Sequence, residues 1–181
     1  MTEQPENNAE GVDLDTVLVE DLVLTDCFLV KGVVEGKVGR LSRHLDTFNK
    51  RFLPIRNATM VDLRGGEPIT SPRIMVNLEE VVLAHELVET GGDVFQKNLA
   101  RDQKTVRVRA FFSGNNNIEV AGLIRPGAYD VSDPITRRFF VVQEPVVRGI
   151  DFGVSPELQV LSRMPYAIVQ KDRISYVYDF S

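Results

Sequence analysis

Hydrophobic and polar residues alternate in short runs along most of this chain, and turn-forming residues separate the runs. "TVRVRAFF" (105–112) is the cleanest case, with Val106 and Val108 on one face and Arg107 and Arg109 on the other, as a half-buried strand requires. "TVLVEDLVL" (16–24) alternates less cleanly: Val17, Val19 and Asp21 share a face, while Leu18, Leu22 and Leu24 leave the inward side undecided. "DCFLVKGVV" (26–34) and "NNNIEVAGLI" (115–124) read as the strands that follow. The Gly and Asn residues of "SGNNN" (113–117) suit the positive φ of a hairpin turn. Gly32 and Gly122 fall inside strands, where glycine marks a bend or a close backbone approach. "IMVNLEEVVLAHE" and "AIVQKDRISYVYD" each predict a strand, one 3₁₀-like turn and a second strand.

These runs repeat. Residues 15–36 lie over 104–127, 50–63 over 137–150, and 72–87 over 165–180, in the same order and with offsets that drift only through short insertions. The pattern predicts two copies of one small unit. Each copy supplies about five short strands, and five short strands hide their edges by closing on themselves. The expected fold is therefore mainly β: two tandem five-stranded barrels, each with a short helical or loop insertion. The boundaries are a tail over 1–14, a first barrel over 15–88, a linker over 89–103 and a second barrel over 104–181.

One stretch breaks the β pattern. In "GRLSRHLDTFNKRFLPI" (39–55), Leu41, Leu45 and Phe48 fall at i, i+4 and i+7, the apolar stripe of a short helix. Residues 31–56 carry seven Lys or Arg against Glu35 and Asp46. Two compatible readings follow. Lys37, Arg40, Arg43, His44, Lys50, Arg51 and Arg56 form an anion-binding patch for nucleic acid or a phosphorylated partner, with Phe48 as a stacking surface. Or the helix is a lid that closes one barrel end and leaves its charges in water. The second copy has "GAYDVSDPITRR" at this place, where Pro134 stops any long helix and only Arg137 and Arg138 keep a basic pair.

Charge sharpens this picture. The net charge of −5 comes from Glu3, Glu6, Glu10, Asp13 and Asp15, and the rest of the chain holds 21 acidic and 21 basic residues. The acidic, apolar-poor start reads as disordered, and masking of the basic stretch by it is a further expectation. The start lacks the basic and apolar regions of a signal peptide, and no apolar run approaches the ~18 residues of a membrane helix. Cys27 is the only cysteine. It permits no internal disulfide and reads as a small buried hydrophobe. These features predict a soluble cytoplasmic protein.

The glycine of the second strand (Gly32), the D-x-x-N of Asp46 and Asn49 in "LDTFN", and the closing "IMVNLEEVVLA" together resemble the Sm-like small barrel, a relative of SH3-like barrels. The resemblance implies RNA or other nucleic acid as a partner. It departs at Asn77-Leu78-Glu79-Glu80, where the family's second RNA-binding turn would stand, and the second copy has no D-x-x-N. The stretch 39–55 also looks similar to an uncharacterised bacterial domain carrying an LS-x-x-L and an RFLP, which brings no activity with it.

Chemistry-bearing motifs are sparse. His44 and His85 are the only histidines, and no Cys or His spacing suits a metal. The chain has no nucleophile elbow or phosphate-binding loop, and the spacing in "RLSR" does not fit a cyclic-dinucleotide receptor of the PilZ type. The sequence predicts a non-enzymatic module without cofactor or metal that assembles with a protein partner or with itself; nucleic-acid binding is the alternative. Tyr176, Tyr178 and Phe180 of "ISYVYDF" share one strand face. They either close the second barrel or pair with a neighbouring molecule.

Overall fold

The computed structural model describes residues 20–87, 104–130 and 137–181. The acidic tail, the linker over 89–103, the start of the first predicted strand and Pro134 lie outside the described residues.

Ten strands dominate the described residues. They are β1 (Asp21–Thr25), β2 (Phe28–Val34), β3 (Phe52–Asp62), β4 (Ile69–Asn77) and β5 (Val81–Glu86), then β6 (Val106–Phe111), β7 (Glu119–Ile124), β8 (Phe139–Arg148), β9 (Tyr166–Gln170) and β10 (Tyr176–Asp179). One helix, α1 (Leu41–Thr47), connects β2 to β3. The 3₁₀ turns Leu78–Glu80 and Lys171–Arg173 stand where the sequence predicts them, and a third, Pro156–Ser162, precedes β9.

The strands do not close into two barrels. They form one antiparallel ten-stranded sheet in the order β10-β6-β7-β8-β9-β5-β1-β2-β3-β4. The reason lies at the middle. Closure of the first five strands would need the outer edge of β5 to meet its own β4. That edge instead pairs with β9 through Leu83↔Val169 and Ala84↔Ile168. A strand has only two hydrogen-bonding edges, and β1 holds the other. β4 and β10 are left at the two ends of the sheet, each with one neighbour.

Two apolar clusters form the core, each drawn mainly from one half of the described chain. One gathers Val23, Val30, Leu41, Leu45, Leu53, Ile55, Val76 and Ala84 with Phe139 and Ile168 from the carboxyl half. The other gathers Val108, Val120, Val142, Leu158, Leu161 and Val169 with Leu22, Leu24 and Leu83 from the amino half. β1 thus sends Val23 to one cluster and Leu22 and Leu24 to the other, so its apolar run does not alternate. β6 buries Val108 and Ala110 and exposes Arg107, in line with its cleaner pattern.

Gly32 and Gly122 sit at the same structural event. Pairing of β2 with β3 shifts register between Lys31 and Val33, and pairing of β7 with β8 shifts between Ala121 and Leu123. A Cβ at Gly32 would lie 2.6 Å from the Arg56 carbonyl oxygen, and one at Gly122 would lie 2.6 Å from that of Gln143. Only glycine lets the neighbouring backbone come this close. The facing strands carry the bulge at Asn57 (φ 48°) and Glu144 (φ 49°).

Candidate functional site

The basic stretch does not form one patch. Lys37 turns inward, where its Nζ lies 2.5 Å from Asp21 Oδ1 and 3.2 Å from Glu86 Oε1, with side-chain exposures of 9%, 0% and 13% respectively. Arg51 pairs with Glu79 at 3.3 Å on the surface. Arg56 lies 3.9 Å from Glu35, and Arg73 pairs with the same carboxylate at 2.9 Å. Arg40 and His44 are half-buried, while Arg43 and Lys50 are exposed. The seven residues grouped by sequence are therefore divided: Lys37 in a buried ion cluster, Arg40, Arg43 and His44 at or on helix α1, Lys50 exposed between α1 and β3, and Arg51 and Arg56 beside surface carboxylates.

Helix α1 has seven residues, too few to persist in water without packing. It is held by Leu41 and Leu45, both fully buried, and by Phe48 beyond its end, which packs partly on the same cluster. The helix also joins the two halves. Asp46 Oδ1 accepts from the Phe139 N–H at 3.3 Å, and Arg138 Nη2 donates to the Phe48 carbonyl oxygen. Burial raises the Asp46 carboxyl above its ordinary range, against the pull of the Phe139 N–H, Arg137, Lys171 and Arg138. The Asp of the D-x-x-N that carries the Sm-like resemblance is thus engaged with the carboxyl half. A second clasp stands at Asp26, whose carboxylate accepts from the N–H groups of Asn115 (2.7 Å) and Asn116 (3.3 Å) in the β6–β7 turn. Cys27, half-buried beside it, accepts from Asn115 Nδ2 at 3.3 Å.

Sequence reasoning does not single out the buried ion cluster, although an acid inside the run "EDLVL" is its signal. Asp21 Oδ2 accepts from the Val34 N–H at 3.1 Å; Glu86 accepts from the Leu41 N–H at 2.9 Å and from the Tyr166 hydroxyl at 3.3 Å. Burial pushes the Asp21 carboxyl up, and Lys37 opposes that push. Burial and then Lys37 hold His44 below its ordinary value. The arrangement ties β1, β5, β9 and α1 together and engages the Lys37 ammonium with two carboxylates, its side chain 9% exposed. Among the described residues no group of His, Cys, Asp and Glu is arranged to hold a metal ion, and no helix is long and apolar enough to cross a membrane.

His85 lies on β5, 5% exposed, edge-on to the Tyr166 ring at 4.6 Å. Burial drives it down to about 4, against the weaker effects of Glu86 and a hydrogen bond with the Tyr166 backbone. The folded state therefore resists a proton that the unfolded chain takes near its ordinary value of 6.5. Stability from this group is whole above pH 6.5 and falls as pH drops toward 4, by about 3 kcal/mol at most. Asp21, shifted upward from 3.8 by burial, acts in the opposite sense, its contribution being lost as pH rises above that value. The expected result is a shallower loss between pH 6.5 and 4 in His85→Gln than in the native chain, measured by urea unfolding at each pH.

The other surface candidate is the pair of sheet edges. On β10 and just beyond it, Tyr176, Tyr178 and Phe180 are 71%, 59% and 51% exposed. The Tyr178 and Phe180 rings meet edge-on at 4.6 Å. Tyr176 also borders an open, mostly apolar groove with Phe111, Phe112 and Ile118. At the far edge, β4 exposes Ile69 and Met75. β10 covers the outer edge of β6, and no strand of the described residues lies on its own outer edge. Sequence analysis finds the β10 aromatics through their shared parity and misses β4, whose polar "TSPR" conceals an edge position.

Comparison with known proteins adds no relative: no family model, no curated protein and no solved structure matches the chain.

Proposed function

We propose that this chain is a non-enzymatic assembly module, made of two tandem Sm-like halves, that works through the edges of its sheet. The tandem reading is supported by strand order: β5-β1-β2-β3-β4 and β10-β6-β7-β8-β9 follow one scheme. It is supported also by the paired glycines 32 and 122 and the paired bulge residues 57 and 144. The observation that carries the functional reading is the exposure of apolar side chains on both unpaired edges. Unpaired strands with apolar side chains invite another strand unless they are blunted.

The nucleic-acid alternative needs a continuous cationic surface. The inward position of Lys37 and the carboxylate partners of Arg51 and Arg56 weaken that case. The two readings separate by experiment. Tyr178→Glu places a charge in the proposed contact and weakens assembly on the order of 100-fold, read by sedimentation velocity, while added salt leaves the native assembly intact. Binding to a fluorescent oligonucleotide that collapses with salt and with Arg43→Glu and Lys50→Glu would favour the alternative.

A further inference from the structure

Resting on the assembly reading above, we infer that the partner is a second copy of this chain, with β10 of one molecule pairing antiparallel to β4 of the next in the register of the internal β5–β9 junction. The two free edges are counterparts of the two strands already joined. β5 lies on β1 with Leu24↔Leu83 and Val23↔Ala84, and β10 lies on β6 with Phe111↔Tyr176 and Ala110↔Val177. β9 lies on β8 with Phe139↔Gln170 and Phe140↔Val169, and β4 lies on β3 with Phe52↔Asn77 and Leu53↔Val76. Tyr176 and Val177 therefore occupy the places of Leu83 and Ala84, while Val76 and Met75 occupy those of Val169 and Ile168.

The internal junction pairs Leu83 with Val169 and Ala84 with Ile168. Its next positions outward bring Glu86 to Tyr166, whose hydroxyl donates to that carboxylate. Transposed to the free edges, the register sets Tyr176 opposite Val76, Val177 opposite Met75, Tyr178 opposite Ile74 and Asp179 opposite Arg73. Three apolar pairs are followed by an acid against a guanidinium, which is what cross-strand neighbours favour. Tyr176 and Met75, 71% and 49% exposed, would be covered. Arg73 now pairs with Glu35 at 2.9 Å, an exposed contact that exchanges at little cost, and Asp179 accepts from the Tyr129 hydroxyl at 2.7 Å in a partly buried bond that the new pair would have to replace or share. Proline sets the same limit in both places: Pro72 and Pro165 immediately precede the pairing residues, and neither has an N–H to offer. The contact joins two different edges, so it propagates head to tail into a ring or a filament.

Disulfide trapping between two singly substituted chains tests the register. In a Cys27→Ser background, Val177→Cys chains are mixed with Met75→Cys chains under mild oxidation. Opposed positions bring the Cα atoms within the roughly 7 Å that a disulfide tolerates. The expected result is a reducible mixed dimer, with about tenfold less product when Ile74→Cys, on the opposite face, replaces Met75→Cys. A photoactivatable benzoylphenylalanine at position 176 in the native-cysteine chain, mapped by mass spectrometry to residues 73–77 of another molecule, serves if the cysteine chains fold poorly. Equal trapping at Ile74 and Met75, or photoproducts elsewhere, would overturn the register. An oligomer by light scattering that gives neither product would overturn this inference and leave the assembly reading standing. A monomer at every concentration would remove both.

Discussion

Lys37→Met lowers the stability of the folded chain by about 3–5 kcal/mol, the usual cost of removing one partner from a buried ion pair. Lys37 is the cation between Asp21 and Glu86, and Asp21 has no exposure to water. Without it, Asp21 keeps the Val34 N–H, and its charge must be lost or hydrated at the expense of the core. Asp21→Asn added to Lys37→Met removes one of the two stranded charges, so the pair of substitutions costs less than the sum of the singles. Arg51→Met is the control: its partner Glu79 is 67% exposed, and an exposed pair contributes about 1 kcal/mol or less. Urea unfolding curves for the native chain, Lys37→Met, Asp21→Asn, the double substitution and Arg51→Met check the order. Equal losses for Lys37→Met and Arg51→Met would show that the cluster is not buried in solution.

Leu45→Ala costs about 4 kcal/mol, within the range for deleting a fully buried leucine side chain. Leu45 has no exposed surface, and with Leu41 and Phe48 it anchors a helix too short to stand alone. Loosening the helix also loosens what it clasps, the Asp46 contact to Phe139 and the Arg138 contact to Phe48. The substitution should therefore open a new protease site within residues 39–51 well below the global unfolding transition, whereas Arg43→Ala, on the exposed side, leaves both readouts near the native values. Protection of that segment in Leu45→Ala would mean that the helix owes its fold to its polar contacts.

Periodicity makes most elements legible. "TVRVRAFF" and the two strand–turn–strand blocks alternate because one face of each meets a core, and the stripe of Leu41, Leu45 and Phe48 marks the helix. What periodicity does not encode is which edges meet. Closure into barrels and union into one sheet use the same strands with the same inward residues; the difference lies in backbone groups of β5, which pair with β9. Hence barrels are the natural expectation and one ten-stranded sheet is the outcome. The ion cluster is hidden for a related reason. Lys37 and Glu86 are far apart in sequence, and each looks like an ordinary surface residue until the sheet brings β1, β5 and the β2–α1 connection together. Counting charge along the chain puts Lys37 in a basic patch; its actual neighbours are two carboxylates. Gly32 and Gly122 are readable as close approaches because glycine weakens a strand interior, and the space of its missing Cβ is useful where another backbone comes near.

The measurement that tests the central claim most directly is light scattering on the native chain after size-exclusion chromatography, over a wide concentration range and with a full ultraviolet spectrum. The chain has no Trp and only four Tyr, so bound nucleic acid would dominate the absorbance at 260 nm. Assembly through the sheet edges predicts a mass that is a multiple of 20.3 kDa, rises with concentration, and carries a protein spectrum. A species that stays at the mass of one chain throughout, or one whose mass is made up by nucleic acid, would contradict it.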